Sequence, residues 1–247
     1  MSMVEPIGKN KLNDYRNIVG EEEIETIKSM ADDLRGSSVI HVNSTSLGGG
    51  VAEILHSLIP LMRNVGLNTS WGVIEGDLEF FTITKTKLHN GIQGDNVTLS
   101  KKEKEIYLRN SKINAEKLKM DHDFVIIHDP QPLAIISYYP RKSTSKWIWR
   151  CHIDASTPNP YIWKFVSKYI KLYDAAIFTL KDYVKEGLEV KKIAIIPPSI
   201  DPLSDKNKPL SESQVTSILE KYDVDPERPI ITQVGRFDPW KDPLGVI

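Results

Sequence analysis

The sequence predicts an α/β protein built on a doubly wound parallel sheet, and three observations carry that reading. Short apolar runs at Val39–Asn43, Phe124–Ile127, Trp147–Cys151, Ala175–Leu180 and Ile193–Ile196 have the composition of strands buried on both faces. Segments with apolar residues at helical spacing lie between them. The two patterns alternate along the chain, the order that lays helices over both faces of a parallel sheet.

The elements follow in order. The first 20 residues, with Pro6, Gly8 and several Asn and Lys, read as an extended lead-in. Glu21–Arg35 opens with acidic residues, carries Ile24, Ile27 and Leu34, and stops at Gly36, the pattern of a helix. The strand at Val39 passes through Gly48-Gly49-Gly50 into a second helix. Its apolar positions Val51, Ile54, Leu55, Leu58, Met62 and Val65 form one stripe, and Pro60 is expected to kink it. Lys101–Met120, with seven basic and three acidic residues, reads as one or two surface helices whose charges face water. Tyr161–Tyr173 places Ile162, Phe165, Val166, Tyr169, Ile170 and Tyr173 on one helical face. Ser204–Arg228 is polar, holds Pro209 and Pro226, and contains a short helix opened by the capping-box pair Ser211 and Gln214. Beyond it, Ile230–Val234 reads as the first strand of a second unit of the same kind. The organisation implied is residues 1–203 as a first domain with an N-terminal extension, 204–229 as a linker, and 230–247 as the start of a second domain.

Bulk properties narrow the function. The 247 residues are 40% hydrophobic and 26% charged, and 32 basic against 33 acidic side chains leave a net charge of −1. Nothing in that balance favours a nucleic-acid backbone or an anionic membrane. A single cysteine, Cys151, excludes an intrachain disulfide framework and fits a reducing compartment. No run approaches the roughly 20 apolar residues that span a bilayer. The polar N-terminus has no apolar signal core, so a cytoplasmic location is expected.

Four groups of residues bear on chemistry. Gly48, Gly49 and Gly50 join a strand to a helix, either as a backbone cradle for an anion or as a flexible tight turn. They lack the spacing of dinucleotide-binding and P-loop motifs. Arg150, His152 and Asp154 stand at the carboxyl end of a strand, where open α/β sheets bind ligands. Strand alternation puts Ile148, Arg150 and His152 on one side, with Trp149 and Cys151 on the other. His128-Asp129-Pro130 ends the preceding strand at the same edge, where Asp129 also suits a turn. Arg236 and Lys241 follow the strand at Ile230 near a helix start, a placement that suits a diphosphate as well as plain solvated charge. No His, Cys, Asp and Glu set has metal-ligand spacing, and no G-x-S-x-G elbow occurs. The sequence calls for no cofactor.

Taken in order, five motifs form a set: Gly48-Gly49-Gly50-Val51-Ala52-Glu53, His128-Asp129-Pro130, Arg150-Cys151-His152-Ile153-Asp154, Ile196-Pro197-Pro198-Ser199-Ile200-Asp201, and Val234-Gly235-Arg236-Phe237-Asp238-Pro239-Trp240-Lys241-Asp242-Pro243. The set resembles retaining glycosyltransferases of two Rossmann-like domains, the GT-B architecture, and among them the archaeal trehalose glycosyltransferring synthases. The likeness runs from about Val39 to the last residue.

That resemblance implies an enzyme that joins glucose from a nucleotide-glucose donor to free glucose. Gly48, Gly49 and Gly50 would face the donor diphosphate and sugar, and His152 would sit beside the transferred glucose. Arg236 and Lys241 would neutralise the leaving diphosphate. Glu53, Asp129, Arg150 and Asp154 would line the acceptor side. The family's two donor-holding glutamates, and a C-terminal helix that packs back on the first domain, would lie further along than this chain runs. The 247-residue species is therefore expected to show little turnover by itself, and either to self-associate as a homo-oligomer or to carry a disordered tail beyond about Ser204. Nucleotide-glucose and glucose are the partners implied. A different sugar or sugar-phosphate acceptor, a nucleotide-sugar epimerase and a non-catalytic sugar-binding module are the competing readings.

Overall fold

A six-stranded parallel sheet with one antiparallel edge strand organises the protein, in a computed structural model that describes residues 2–235, 237 and 241–247. The strands are β1 Ser2–Met3, β2 Ser38–Asn43, β3 Asn68–Val73, β4 Phe124–His128, β5 Lys146–Arg150, β6 Ala175–Phe178 and β7 Ile193–Ile195. Their order across the sheet is β1-β3-β2-β4-β5-β6-β7, and only β1 runs antiparallel, on β3. The main helices are α1 Glu21–Asp32, α2 Gly50–Asn64, α3 Leu78–Ile83, α4 Lys101–Lys117, α5 Pro160–Ile170 and α6 Glu212–Lys221. The chain divides into two units, Met1–Ser204 and Asp205–Ile247.

The topology places a crevice. From β2 the chain crosses to β3 on one side and then to β4 on the other. The carboxyl ends of β2 and β4 are therefore where successive connections diverge, the position at which open α/β sheets leave room for a ligand.

Alternation along each strand decides what that crevice contains. Ile40 and Val42 of β2, Val125 and Ile127 of β4, and Trp147 and Trp149 of β5 enter one large core, shared with Ile106 and Tyr107 of α4 and the buried face of α5. The opposite face receives Val39, His41 and Asn43, then Phe124, Ile126 and His128, then Ile148, Arg150 and His152. There Val39 packs with Ala31 and Leu67, against Met62, Val65, Phe124 and Ile126.

Local sequence explains most helix limits. Asn159 caps α5 by accepting the amides of Tyr161 and Ile162, with Pro160 at the first turn, where its missing N–H costs nothing. Ile162, Phe165, Val166, Tyr169, Ile170 and Tyr173 are all buried, as their spacing requires. Ser100 and Glu103 form a reciprocal capping box on α4, and Ser211 and Gln214 do the same on α6.

Several expectations are corrected. The lead-in is not wholly extended: Ser2 and Met3 pair with β3, and Leu12–Tyr15 and Arg16–Val19 form short helical turns whose Leu12 and Tyr15 pack on Ile24. The first helix ends at Asp32, and Leu34 is exposed in the turns before Gly36, whose φ is 81°. In α2 the buried line is Ala52, Leu55 and Ile59, while Leu58 is exposed. The charged segment is one helix, and beneath its solvated charges Ile106, Tyr107, Asn110, Ser111, Asn114 and Ala115 form a buried face.

In the second unit, Ile230–Val234 is not a strand. Strands exist by pairing, and no strand is present among the described residues of that unit.

Candidate active site at the carboxyl edge of the sheet

The site is built from three consecutive strand ends. β2 ends at Asn43, β4 at His128 and β5 at Arg150, with His128 in register with Arg150 and Val42 with Ile127. The segments that follow carry Gly48-Gly49-Gly50, Asp129-Pro130 and His152.

The glycine turn is anchored at its base and open at its tip. Buried Asn43 accepts the Trp71 indole N–H at 2.8 Å and donates to the Thr45 carbonyl at 2.7 Å. His56 accepts the Ile7 amide at Nδ1, so its Nε2 carries the proton and donates to the Ser46 carbonyl at 3.0 Å. Gly48 and Gly49 have φ of 72° and 83°, a region that an L side chain enters only with strain. A Cβ on Gly48, Gly49 or Gly50 would meet nothing within 4 Å, so the backbone faces open space. Gly49 at the N-cap offers α2 no side-chain cap, and the positive end of the helix dipole faces this turn, a placement that suits an anion.

Asp129 turns the chain at the end of β4. Its φ of 63° is left-handed, which Asp tolerates better than most residues. Three hydrogen bonds hold it there. Its amide donates to the Arg150 carbonyl at 2.9 Å, its carbonyl accepts the Trp149 indole N–H at 3.1 Å, and its Oδ1 accepts the His152 amide at 2.8 Å. Tyr107 secures the next residue by donating to the Pro130 carbonyl at 2.8 Å. Burial pushes the Asp129 carboxyl up to about 6, against the opposing pull of the His152 amide and the Arg150 guanidinium.

His152 is partly exposed and sits at the end of a row of imidazoles. Its Nε2 lies 2.9 Å from His128 Nδ1, and His128 Nε2 lies 3.0 Å from His41 Nδ1. His41 Nε2 in turn lies 3.4 Å from the Met62 sulfur. His41 and His128 are buried, and burial moves His41 down to about 4 and His128 well below its ordinary value. Burial, reinforced by the Arg150 charge, brings His152 down to about 3. All three rings are neutral at neutral pH.

The other candidates divide. Arg150 is buried, and its guanidinium donates to the Ile196 carbonyl, fixing the segment after β7. Asp154 accepts the Ser156 amide at 2.8 Å in a local turn. Glu53 is exposed on the first turn of α2. Lys241 belongs to the second unit, and Arg236 lies outside the described residues. The structure thus brings together Gly48, Gly49, Gly50, Asp129, Arg150 and His152 at adjoining strand ends of the first unit. Cys151 is fully buried and its thiol is pushed up by burial, consistent with an inert core residue. Among the described residues no His, Cys, Asp or Glu cluster could hold a metal ion, and no helix is long and apolar enough to cross a membrane.

Sequence reading missed His41, Met62 and the connection of both to His152. The signal was a histidine in or just after each of three strands, His41 within β2, His128 at the end of β4 and His152 two residues past β5, but only the strand order makes them neighbours.

Comparison with known proteins agrees with this architecture. Residues 41–185, over half the chain, match the family model described as trehalose synthase, N-terminal domain. A trehalose synthase of Thermococcus litoralis is 53% identical over 96% of this chain and 57% of its own length. One from Rubrobacter xylanophilus is 43% identical over 97% of this chain and 58% of its own length. A solved E. coli structure, described as trehalose-6-phosphate bound with UDP-2-fluoro glucose, has a TM-score of 0.52 at 14% identity, covering 76% of this chain and 55% of that one. That likeness establishes the Rossmann-like fold. The chain spans about three-fifths of the length of the curated relatives it matches. It belongs to the trehalose synthase family of glycosyltransferases and carries the family's N-terminal domain.

Proposed function

We propose that the protein is the acceptor-side part of a retaining hexosyltransferase that moves glucose from a nucleotide-glucose donor to free glucose, giving trehalose. The observation that carries this reading is the convergence of the open glycine backbone and His152 at the strand ends beside the β2–β4 crevice, in a chain 53% identical to a trehalose synthase.

In this reading the amides of Gly48–Gly50 and the α2 dipole face the donor's diphosphate, where negative charge builds as the glycosidic bond to the leaving group breaks. His152 hydrogen-bonds a hydroxyl of the transferred glucose. Asp129 positions His152 through its amide, and Arg150 holds the post-β7 segment in place. Glu53 and Asp154 line the acceptor side. Arg236 and Lys241 supply cations to the leaving diphosphate. Retention follows from attack on the face the leaving group departs from, so the two flanking carboxylates of a glycosidase are not required. The donor nucleotide-glucose is a substrate, and the sequence itself calls for no cofactor. The 247-residue chain, which spans 57% of its Thermococcus relative, is expected to turn over slowly by itself.

Product analysis with and without free glucose tests the reading, using a chain extended to the length of the relatives. Trehalose formed only when both nucleotide-glucose and glucose are present supports it. Free sugar released from the donor without glucose favours a nucleotide-sugar epimerase, and product formed only with a sugar phosphate favours a different acceptor.

A further inference from the structure

The row of imidazoles has a direction, and Met62 sets it. A neutral imidazole carries one N–H and one bare nitrogen, so each ring donates at one end and accepts at the other. The ring centroids of His41 and His128 are 5.3 Å apart and those of His128 and His152 are 5.2 Å apart, with interplanar angles of 30° and 13°. Those separations exceed the N···N distances by a ring's width. The rings therefore meet edge to edge, with lone pairs and N–H groups in line, rather than face to face.

Two proton arrangements satisfy both N···N contacts, and they differ at the ends. If His41 carried its proton on Nδ1, its bare Nε2 would point at the Met62 sulfur, a lone pair against an atom that can only accept. If His41 carries its proton on Nε2, that N–H donates to the sulfur at 3.4 Å. Its Nδ1 is then bare and accepts from His128 Nε2 at 3.0 Å. His128 Nδ1 is bare in turn and accepts from His152 Nε2 at 2.9 Å. The last bare nitrogen is His152 Nδ1, which has no hydrogen-bond partner among the described residues.

We propose that Met62, His41 and His128 are positioning residues that lock His152 with Nε2 protonated and Nδ1 bare, so that this edge of the site accepts a hydrogen bond from a hydroxyl donor of the ligand. A sugar hydroxyl meets that requirement, and a ligand group that can only accept, such as a phosphate oxygen or an ether oxygen, does not. The consequence for a ligand rests on the glycosyltransferase reading above; the tautomers do not. The device also explains why a thioether stands on α2 against the sheet. Leucine would fill similar space and give the ladder no end to donate to.

Histidine tautomers are read directly by long-range proton–nitrogen correlation spectroscopy on the 15N-histidine-labelled chain at neutral pH without ligand. Single substitutions assign the six histidines. His41, His128 and His152 are each expected to show Nε2 protonated and Nδ1 bare. A proton on Nδ1 of any of the three overturns the proposal. In Met62→Leu, a second set of resonances for the three rings is expected as the bias is lost; a single unchanged set overturns the role of the sulfur. Nucleotide-glucose added to the labelled chain extended to the length of its relatives is expected to shift His152 Nδ1 more than the nitrogens of His41. If the apo tautomers hold and nucleotide-glucose moves nothing, the acceptor role at His152 is overturned while the ladder stands.

Discussion

Asp129 Oδ1 accepts the amide of His152 at 2.8 Å while the Asp129 backbone stands at φ 63°, so one residue both turns the chain after β4 and holds the segment after β5. Asp129→Ala removes the acceptor and places a Cβ-bearing residue without local hydrogen bonding in the left-handed region. Loss of about 2 kcal/mol of stability is expected, from a hydrogen bond to a carboxylate and the backbone term together. Asp129→Asn keeps an oxygen acceptor and tolerates the same φ, so it should lose about half as much or less. Urea denaturation of the two variants checks the order, and equal losses would contradict it.

The histidine ladder makes stability depend on pH. Folding lowers His41 from 6.5 to about 4 and His152 from 6.5 to about 3, with His128 lowered as well. Below 6.5 the unfolded chain takes up protons that these buried rings refuse, so their contribution, present above 6.5, is lost on acidification toward their folded values. Asp129, raised to about 6, acts in the opposite sense, because between its ordinary 3.8 and about 6 the folded state holds the proton. Three groups against one leave a net fall in stability below pH 6.5, at about 1.4 kcal/mol per pH unit for each proton of difference. Denaturation midpoints measured down the acid range should fall, and His128→Leu should flatten the slope. A slope unchanged by that substitution would remove the ladder as its cause.

The glycine turn should separate stability from ligand affinity. Gly49→Ala meets no atom within 4 Å, but Gly49 sits at φ 83°. A cost of about 1–2 kcal/mol is expected from the backbone alone. Turnover of nucleotide-glucose in the extended chain should fall at least about tenfold, as expected when the donors at a developing anion are displaced. Thermal denaturation and initial rates on the same preparation check both. Unchanged turnover with the expected loss of stability would reduce the turn to a structural role.

Tyr107 links α4 to the site from beneath. Its buried hydroxyl donates to the Pro130 carbonyl at 2.8 Å and accepts the Ala134 amide at 3.2 Å. Tyr107→Phe leaves both groups buried without that partner, and a loss of about 1–3 kcal/mol is expected. Hydrogen exchange should show faster opening at Ala134 and at the turn around Asp129. Protection unchanged at Ala134 would contradict the link.

The fold was legible where burial wrote it into composition. Val125 and Ile127, and Trp147 and Trp149, lie in apolar runs because both faces of those strands are covered. β3 escaped notice because Asn68, Thr69 and Ser70 are polar. Hydrogen bonds satisfy two of the three: Asn68 donates to the Gly36 carbonyl and Ser70 Oγ reaches the Val39 carbonyl and His122, while the buried Thr69 hydroxyl has no partner among the described residues. The buried face of α4 was hidden because Asn110, Ser111 and Asn114 are polar residues satisfied by carbonyls of their own helix and of Glu75. Of the site, the glycine turn, Asp129 and His152 were readable as residues at strand ends. The alignment of His41 with His128 depends on β2 lying beside β4, a relation of strand order that no local pattern encodes. Ile230–Val234 has the composition of a strand, yet composition supplies no pairing partner.

One comparison tests the account most directly: transferase activity of the 247-residue chain beside a chain extended to the length of its relatives, both of verified mass. Each receives nucleotide-glucose and free glucose, with trehalose read by chromatography. Trehalose from the extended chain, with little from the shorter one and little from the extended chain carrying His152→Ala, is the predicted result. No trehalose from the extended chain, or equal trehalose from its His152→Ala variant, would contradict the account.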